Sequence, residues 1–416
     1  MPTIDRLADE LQAAADVRVA ESPPAPNVVD AVRRGTRRRL RNRVAVATGV
    51  VAFAAAGLAA ARVVAPSTVR EPRRVEVASG VRQIGRMTVP RAAHAATLLD
   101  DGTVLLSGGF SGDTEIYYDS AEVFDPATRT FLPAAPMATA RTGHAGVLLD
   151  DGTVLVAGGW GGDFLSSAEL YDPATRTFAA TGSMAVARDG FTATKLRDGR
   201  VLVVGGFRES YETFNRSAEI YDPETGEFTS TGSLARARAS HTATLLRDGR
   251  VAVAGGLGPG GVLRSIEVYD PATGTFTAGG RLTVARQKHG AVLLDRGRVL
   301  IVGGADIDDA FGRRRSAEVY DQATGVARKA GGMRFARFKL PAPVNLPARG
   351  EVLVAGGADV PEVYEERSRS FVRVEGEHPG AHSFATATLL DDGSVLIAGG
   401  YDDEVTATDG AWLFTP

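Results

Sequence analysis

Four histidines recur at one place in a repeating line. His94, His144, His241 and His289 each stand eight residues before the glycine of a tight turn. Phe191, Ala342 and Ala385 hold the same spacing in three further copies. Several imidazoles suggest a metal first. A metal, however, needs all its nitrogens within about 2 Å of one point, whereas packed sheets lie roughly 10 Å apart. Equivalent positions on neighbouring repeats therefore do not converge, and no metal is assigned. Two roles stay open for His94, His144, His241, His289 and Phe191: packing, or contact with a ligand.

A second set of residues breaks the repeat. The segments after paired glycines begin with Phe110, Trp160, Phe207 and Tyr401, with Tyr117, Tyr118, Phe164, Tyr211, Phe214 and Phe311 further along. Acids accompany them: Asp113, Glu115, Asp163, Glu209, Glu212, Asp306, Asp308, Asp309, Asp402 and Asp403. Aromatic faces beside hydrogen-bonding acids suit a sugar or a peptide, and solvated loop acids are the plain alternative. "DIDD" (306–309) lacks the ligand spacing and glycine of a calcium loop.

The elements that must position these residues follow from the line itself. Glycine pairs at 108–109, 158–159, 205–206, 255–256, 303–304, 356–357 and 399–400 define seven repeats. A period near 50 residues with four strand-like segments is the pattern of a propeller blade. In repeat two, "RTGHAGVLL" (141–149) reads as a first strand and "DDG" as a hairpin turn. "TVLVAGG" (153–159) is an apolar second strand, and "SAELYDP" (167–173) alternates at period two as a third. "DPATRTF" then turns into a short fourth. The last segment, "GAWLFTP" (410–416), matches a third strand and has no fourth after it, so "VRQIGRM" (81–87) is predicted to supply that strand and close the ring. Three prolines in "FKLPAPVNLPARG" (338–350) make repeat six the irregular one.

Residues present in nearly every repeat are read as frame, because equal positions cannot share one asymmetric site. These are Glu122, Glu169, Glu219, Glu267, Glu318 and Glu362, expected to pair with Arg91, Arg141, Arg188, Arg238 and Arg286.

The glycine pairs, the aromatic in "AEVFDP" (121–126) or "IEVYDP" (266–271), and R-x-x-H followed by DG-x-V-L-V-x-GG resemble kelch repeats. The likeness is to bacterial kelch and galactose-oxidase-type propellers, over residues 76–416. It implies an all-β, seven-bladed, monomeric propeller whose inner-strand starts and loops present ligand-reading side chains. The copper and Tyr–Cys crosslink of a galactose oxidase are excluded by the absence of cysteine. Other enzyme motifs fail as well. "GLGPGG" (256–261) precedes a strand rather than a helix, and no G-x-S-x-G or H-E-x-x-H occurs. No catalytic residue and no cofactor is assigned.

The first 75 residues are of a different kind. Seven arginines in "RRGTRRRLRNR" (33–43) precede 18 uncharged residues (44–61). As a helix those would span about 27 Å, close to a bilayer core of roughly 30 Å. The basic flank predicts a cytoplasmic segment 1–43, a signal-anchor helix 44–61, a linker 62–75 and an extracytoplasmic propeller. A cleaved export signal, ending near "AAA" (59–61), is the alternative and would give a secreted protein. Residues 1–80 hold 13 Arg against 8 Asp and Glu, while the remainder is net acidic, which argues against nucleic acid. The expected function is non-catalytic binding of a protein or a cell-envelope glycan. The alternatives are a sugar isomerase or lyase on the loop face, and a single-pass sensor signalling through residues 1–30.

Overall fold

The computed structural model describes residues 78–416, apart from 113–115, 307–311, 347, 378–379 and 381. The chain divides into units 1–73 and 74–416. The basic segment, the anchor helix and the linker 62–75 lie outside the described residues, as do Asp113, Glu115, Asp308, Asp309 and Phe311. Among the described residues, no helix is long and apolar enough to cross a membrane.

Repeat two shows the local logic. Ala145–Leu148, Val154–Ala157, Ala168–Asp172 and Thr177–Ala180 form an antiparallel sheet in chain order. The all-apolar second strand is buried throughout and the fourth is largely exposed. The third strand departs from simple alternation: Glu169, on the same face as Tyr171, is buried, as is Ala168 on the other face. Tyr171 and Phe178 pair across the third and fourth strands with centroids 4.9 Å apart, and four other repeats have the same aromatic pair.

Four-stranded runs of this kind make up three separate sheets and two eight-stranded ones, the latter being two runs joined by a parallel contact. Apolar layers lie between successive runs in a propeller-like arrangement. One layer combines Leu155 and Ala157 with Val201 and Val203, and another joins last to first through Leu396, Ala398, Val104 and Leu106. The strand Ala78–Arg86 pairs antiparallel with Gly410–Phe414, with Val81 opposite Phe414 and Arg86 opposite Gly410. The closing strand is thus where the sequence placed it. In repeat six the prolines shorten the first strand to Val344–Leu346.

The frame residues meet as expected. Arg91–Glu122, Arg141–Glu169, Arg188–Glu219, Arg238–Glu267 and Arg286–Glu318 are buried ion pairs at 2.5–3.0 Å. Each arginine also donates to the carbonyl of the first glycine of its pair, as Arg238 does to Gly255 at 2.8 Å. The glutamate accepts a backbone N–H from the segment leading in, Ala235 for Glu267. A sixth pair, Arg337–Glu362 at 3.0 Å, extends the pattern to repeat six. The shared "M-x-x-A-R" of 184–188 and 333–337 could have revealed it. In repeat seven the two places are taken by His382 and Trp412, whose rings stack at 5.5 Å.

Candidate functional site

Every first strand begins where its repeat's loop returns to the centre. The residue after each arginine, or after His382 in repeat seven, bridges to the residue after the glycine pair: Ala92 to Phe110, Thr142 to Trp160, Asp189 to Phe207 and Ser383 to Tyr401. In the Thr142–Trp160 bridge the two N–H···O bonds measure 2.8 and 2.9 Å. These bridges carry the four loop aromatics to the mouth of the central opening.

One residue further along, at Ala93, Gly143, Gly190, Ser240, Lys288, Lys339 and Phe384, the backbone is left-handed, with φ between +47° and +63°. Five of the seven are not glycine, so the conformation is strained and imposed by surrounding bonds. Those bonds form a ring. The N–H of Ala93 donates to Phe384, Phe384 to Lys339, Lys339 to Lys288, Lys288 to Ser240, Ser240 to Gly190, and Gly143 to Ala93, at 2.7–3.1 Å. One link is open: among the described backbone bonds none runs from Gly190 to Gly143. The Gly190 N–H serves the Asp189 carboxyl instead. That carboxyl sits on Gly143, where a Cβ would lie 2.3 Å from Asp189 Oδ1.

The histidines come next in the chain, and each is engaged with the preceding repeat. Nε2 of His94, His144, His241 and His289 lies 2.9–3.0 Å from the hydroxyl oxygen of Thr386, Ser107, Thr192 and Thr242 respectively. Each ring also lies against the first glycine of the preceding pair, so that a Cβ on Gly108 would meet His144 Cε1 at 2.7 Å. Phe191 packs on Gly158 in the same way. In repeat six it is Leu340, not Ala342, that lies beside Gly303 and Gly357 as the histidines lie beside theirs. The prolines at 341 and 343 shift the spacing by two residues. Burial holds the histidines neutral, with His144 and His241 lowered to about 3 and His94 and His289 also well below the usual range.

These positions surround a cavity of about 1020 Å³ on the axis. Of the nine side chains singled out in the sequence, His94, His144, His241, His289, Phe191, Phe110, Trp160 and Phe207 line it. Tyr401 stands just behind, edge-on to Phe110 at 5.8 Å. Residues the sequence did not single out complete the lining: Asp189, Lys288, Lys339 and Phe384. Nothing in the repeat marks them, because each is one repeat's own choice at a variable place.

Two walls differ in character. On one, Trp160, Phe164, Phe207 and Tyr211 pack ring to ring at 4.9–5.7 Å. Tyr211 rises on the hairpin Phe207–Arg208 and Ser210–Phe214 and hydrogen-bonds Asp189. Burial pushes the Asp189 carboxyl up to about 6, against the pull of the Gly190 N–H, the Tyr211 hydroxyl and Lys288. On the other wall, Lys339 Nζ donates to Tyr401 Oη at 2.5 Å and lies 5.2 Å from the ring centres of Phe384 and Tyr401. Burial raises the Tyr401 hydroxyl to about 12.

The Kelch motif family matches residues 91–138, 141–185 and 197–234. No curated protein matches the chain in sequence. Among solved structures, it is similar to a novel fungal alcohol oxidase with catalytic diversity among the AA5 family, in complex with copper. The TM-score is 0.65 and the identity 16%, over 80% of this chain and 75% of that one. The likeness is one of fold. Among the described residues no three His, Asp or Glu side chains group as a metal would require. With the ring histidines bonded to neighbouring hydroxyls and no cysteine in the chain, the residues present do not fit a copper centre. The Kelch motifs of residues 91–138, 141–185 and 197–234, carried on this arrangement of four-stranded sheets, support a kelch-repeat β-propeller.

Proposed function

We propose that this protein is a membrane-anchored, extracytoplasmic, seven-bladed propeller that binds a protein or an envelope glycan at its axial cavity without catalysing a reaction. The observation that carries the binding role is a contrast of side chains. Where the repeats agree, the residues clamp the frame; around the cavity they diverge into Trp160, Asp189, Lys288, Lys339 and Phe384. Seven four-stranded runs closed by Ala78–Arg86 support the blade count. The seven arginines of 33–43 ahead of the apolar stretch 44–61 support the anchor and the orientation.

The test uses the full chain and a Trp160→Ala, Phe110→Ala variant with an unchanged melting temperature. The histidines are left intact because they bind the sheets together. A partner from the host's envelope fraction should be captured by the unaltered chain and lost by the variant. In native membranes the chain should resist carbonate extraction. A partner retained by both chains moves the site off the cavity, and a wholly soluble chain removes the anchor. The raised Asp189 carboxyl favours a second reading, an isomerase or lyase using it as general base. Turnover of a sugar, lost on Asp189→Asn, would replace the first reading with that one.

A further inference from the structure

We infer that the axial cavity is a receptor for a hydroxy acid: a compact ligand, free or at the end of a glycan, bearing one carboxylate and several hydroxyls. This rests on the reading of the cavity as the binding site and names what it takes.

Charge gives the first argument. Lys288 and Lys339 both line the cavity, and among the described residues that line it Asp189 is the one carboxyl. Beyond residue 80 the chain carries 34 Lys and Arg against 42 Asp and Glu. A cavity with a cationic side in an acidic body draws an anion to that place rather than to the surface at large. Lys339 is also placed in advance. Its backbone is tied into the ring through Lys288, and its ammonium is fixed by Tyr401 against the faces of Phe384 and Tyr401.

The open link gives the second. At Gly143 no backbone N–H closes the ring, and the Asp189 carboxyl fills the space beside its Cα while accepting from the Gly190 N–H and the Tyr211 hydroxyl. A carboxylate offers about four acceptor sites, so those left on Asp189 beyond these two bonds call for donors from the ligand, and hydroxyls supply them. The other six links of the ring are closed, so their N–H and C=O groups are not offered to an extended peptide for strand pairing. What remains are isolated polar points suited to a polyhydroxylated ring. Trp160, Phe207 and Tyr211 stand over those points, and such faces stack on the C–H face of a sugar.

The experiment is titration calorimetry on the purified full-length chain with D-glucuronate, D-glucose, a galacturonate trimer and a peptide with a free C-terminal carboxylate. D-glucuronate or the trimer should bind about tenfold or more tighter than D-glucose, and Lys339→Gln should remove about tenfold of that affinity. The stronger of the two uronates tells a free acid from a glycan end. Lys288→Gln serves as the second variant if Lys339→Gln melts at a lower temperature. Equal binding of D-glucose and D-glucuronate overturns the inference. Binding of the peptide alone, or uronate binding indifferent to both lysine substitutions, does so as well. If no uronate binds while the envelope partner is still lost on the combined Trp160→Ala, Phe110→Ala substitution, the inference fails and the proposed function stands. If the partner survives that substitution, the cavity reading itself fails.

Discussion

In six repeats an arginine and a glutamate meet in the same way, each buried and each bonded to the same backbone groups. Two residues beyond those arginines, or beyond His382 in repeat seven, the side chain runs through Ala, Gly, Gly, Ser, Lys, Lys and Phe. The clamp recurs in six repeats and the left-handed turn in all seven, but the clamp is made by side chains and the ring by main chain. A clamp made by side chains holds its residue types constant. A ring made by peptide groups leaves the side chains free to differ, and the difference is directed into the cavity.

The comparison can be broken at the clamp. Arg238→Ala strands Glu267 in the interior and should lower stability by about 3–5 kcal/mol, measured by denaturant unfolding of the full chain. Arg238→Met with Glu267→Leu should recover most of that loss. If the double variant is no better than the single one, hydrogen bonds to Gly255 and Ser265 outweigh the ion pair.

At the open link the effect is smaller and has the opposite sign. The folded Asp189 carboxyl titrates above its unfolded value, near 6 rather than 3.8. The folded state therefore gains protons first, and stability declines as pH rises through about 6. Asp189→Asn should raise the melting temperature at pH 8, by at most about 3 kcal/mol of stability, and leave it nearly unchanged at pH 4. A destabilised variant at both values would mean that the carboxylate is held by its partners more firmly than burial opposes it.

The histidine layer gives the smallest effect. His241 titrates near 3 in the fold and near 6.5 unfolded, so stability is complete above 6.5 and falls as pH drops toward 3. At pH 5 the loss is about 2 kcal/mol for this one residue. His241→Phe, the residue that repeat three uses naturally at Phe191, should flatten that part of the profile. An unchanged slope would assign acid sensitivity to other groups.

Much of this was legible in the residues. The period of the glycine pairs gave the sheets, the unmatched "GAWLFTP" gave the closing strand, and recurrence separated frame from candidate site. The histidines, Phe191 and three loop aromatics were brought to one cavity. What stayed hidden has physical causes. Leu340 was displaced by proline insertions that spacing arithmetic does not see. The His382–Trp412 pair does with stacking what the other repeats do with charge, so no shared chemistry links it to them. The left-handed ring runs through Lys and Phe, residues whose propensities argue against positive φ. Asp189 is a single acid in a place where other repeats have Ala, Thr, Gln, Phe or Ser.

The pairing of Ala78–Arg86 with Gly410–Phe414 also governs how the protein is made. During synthesis the first strand emerges more than 300 residues before its partner. Until then every sheet but the last can assemble on its neighbour, yet the circle has an open seam with apolar residues such as Leu396 and Val104 unmet across it. Closure is the contact of longest sequence separation and therefore the slowest to be rewarded. A ribosome that stalls late in the message releases an almost complete protein with a sticky edge, the species most prone to aggregate and most in need of a chaperone.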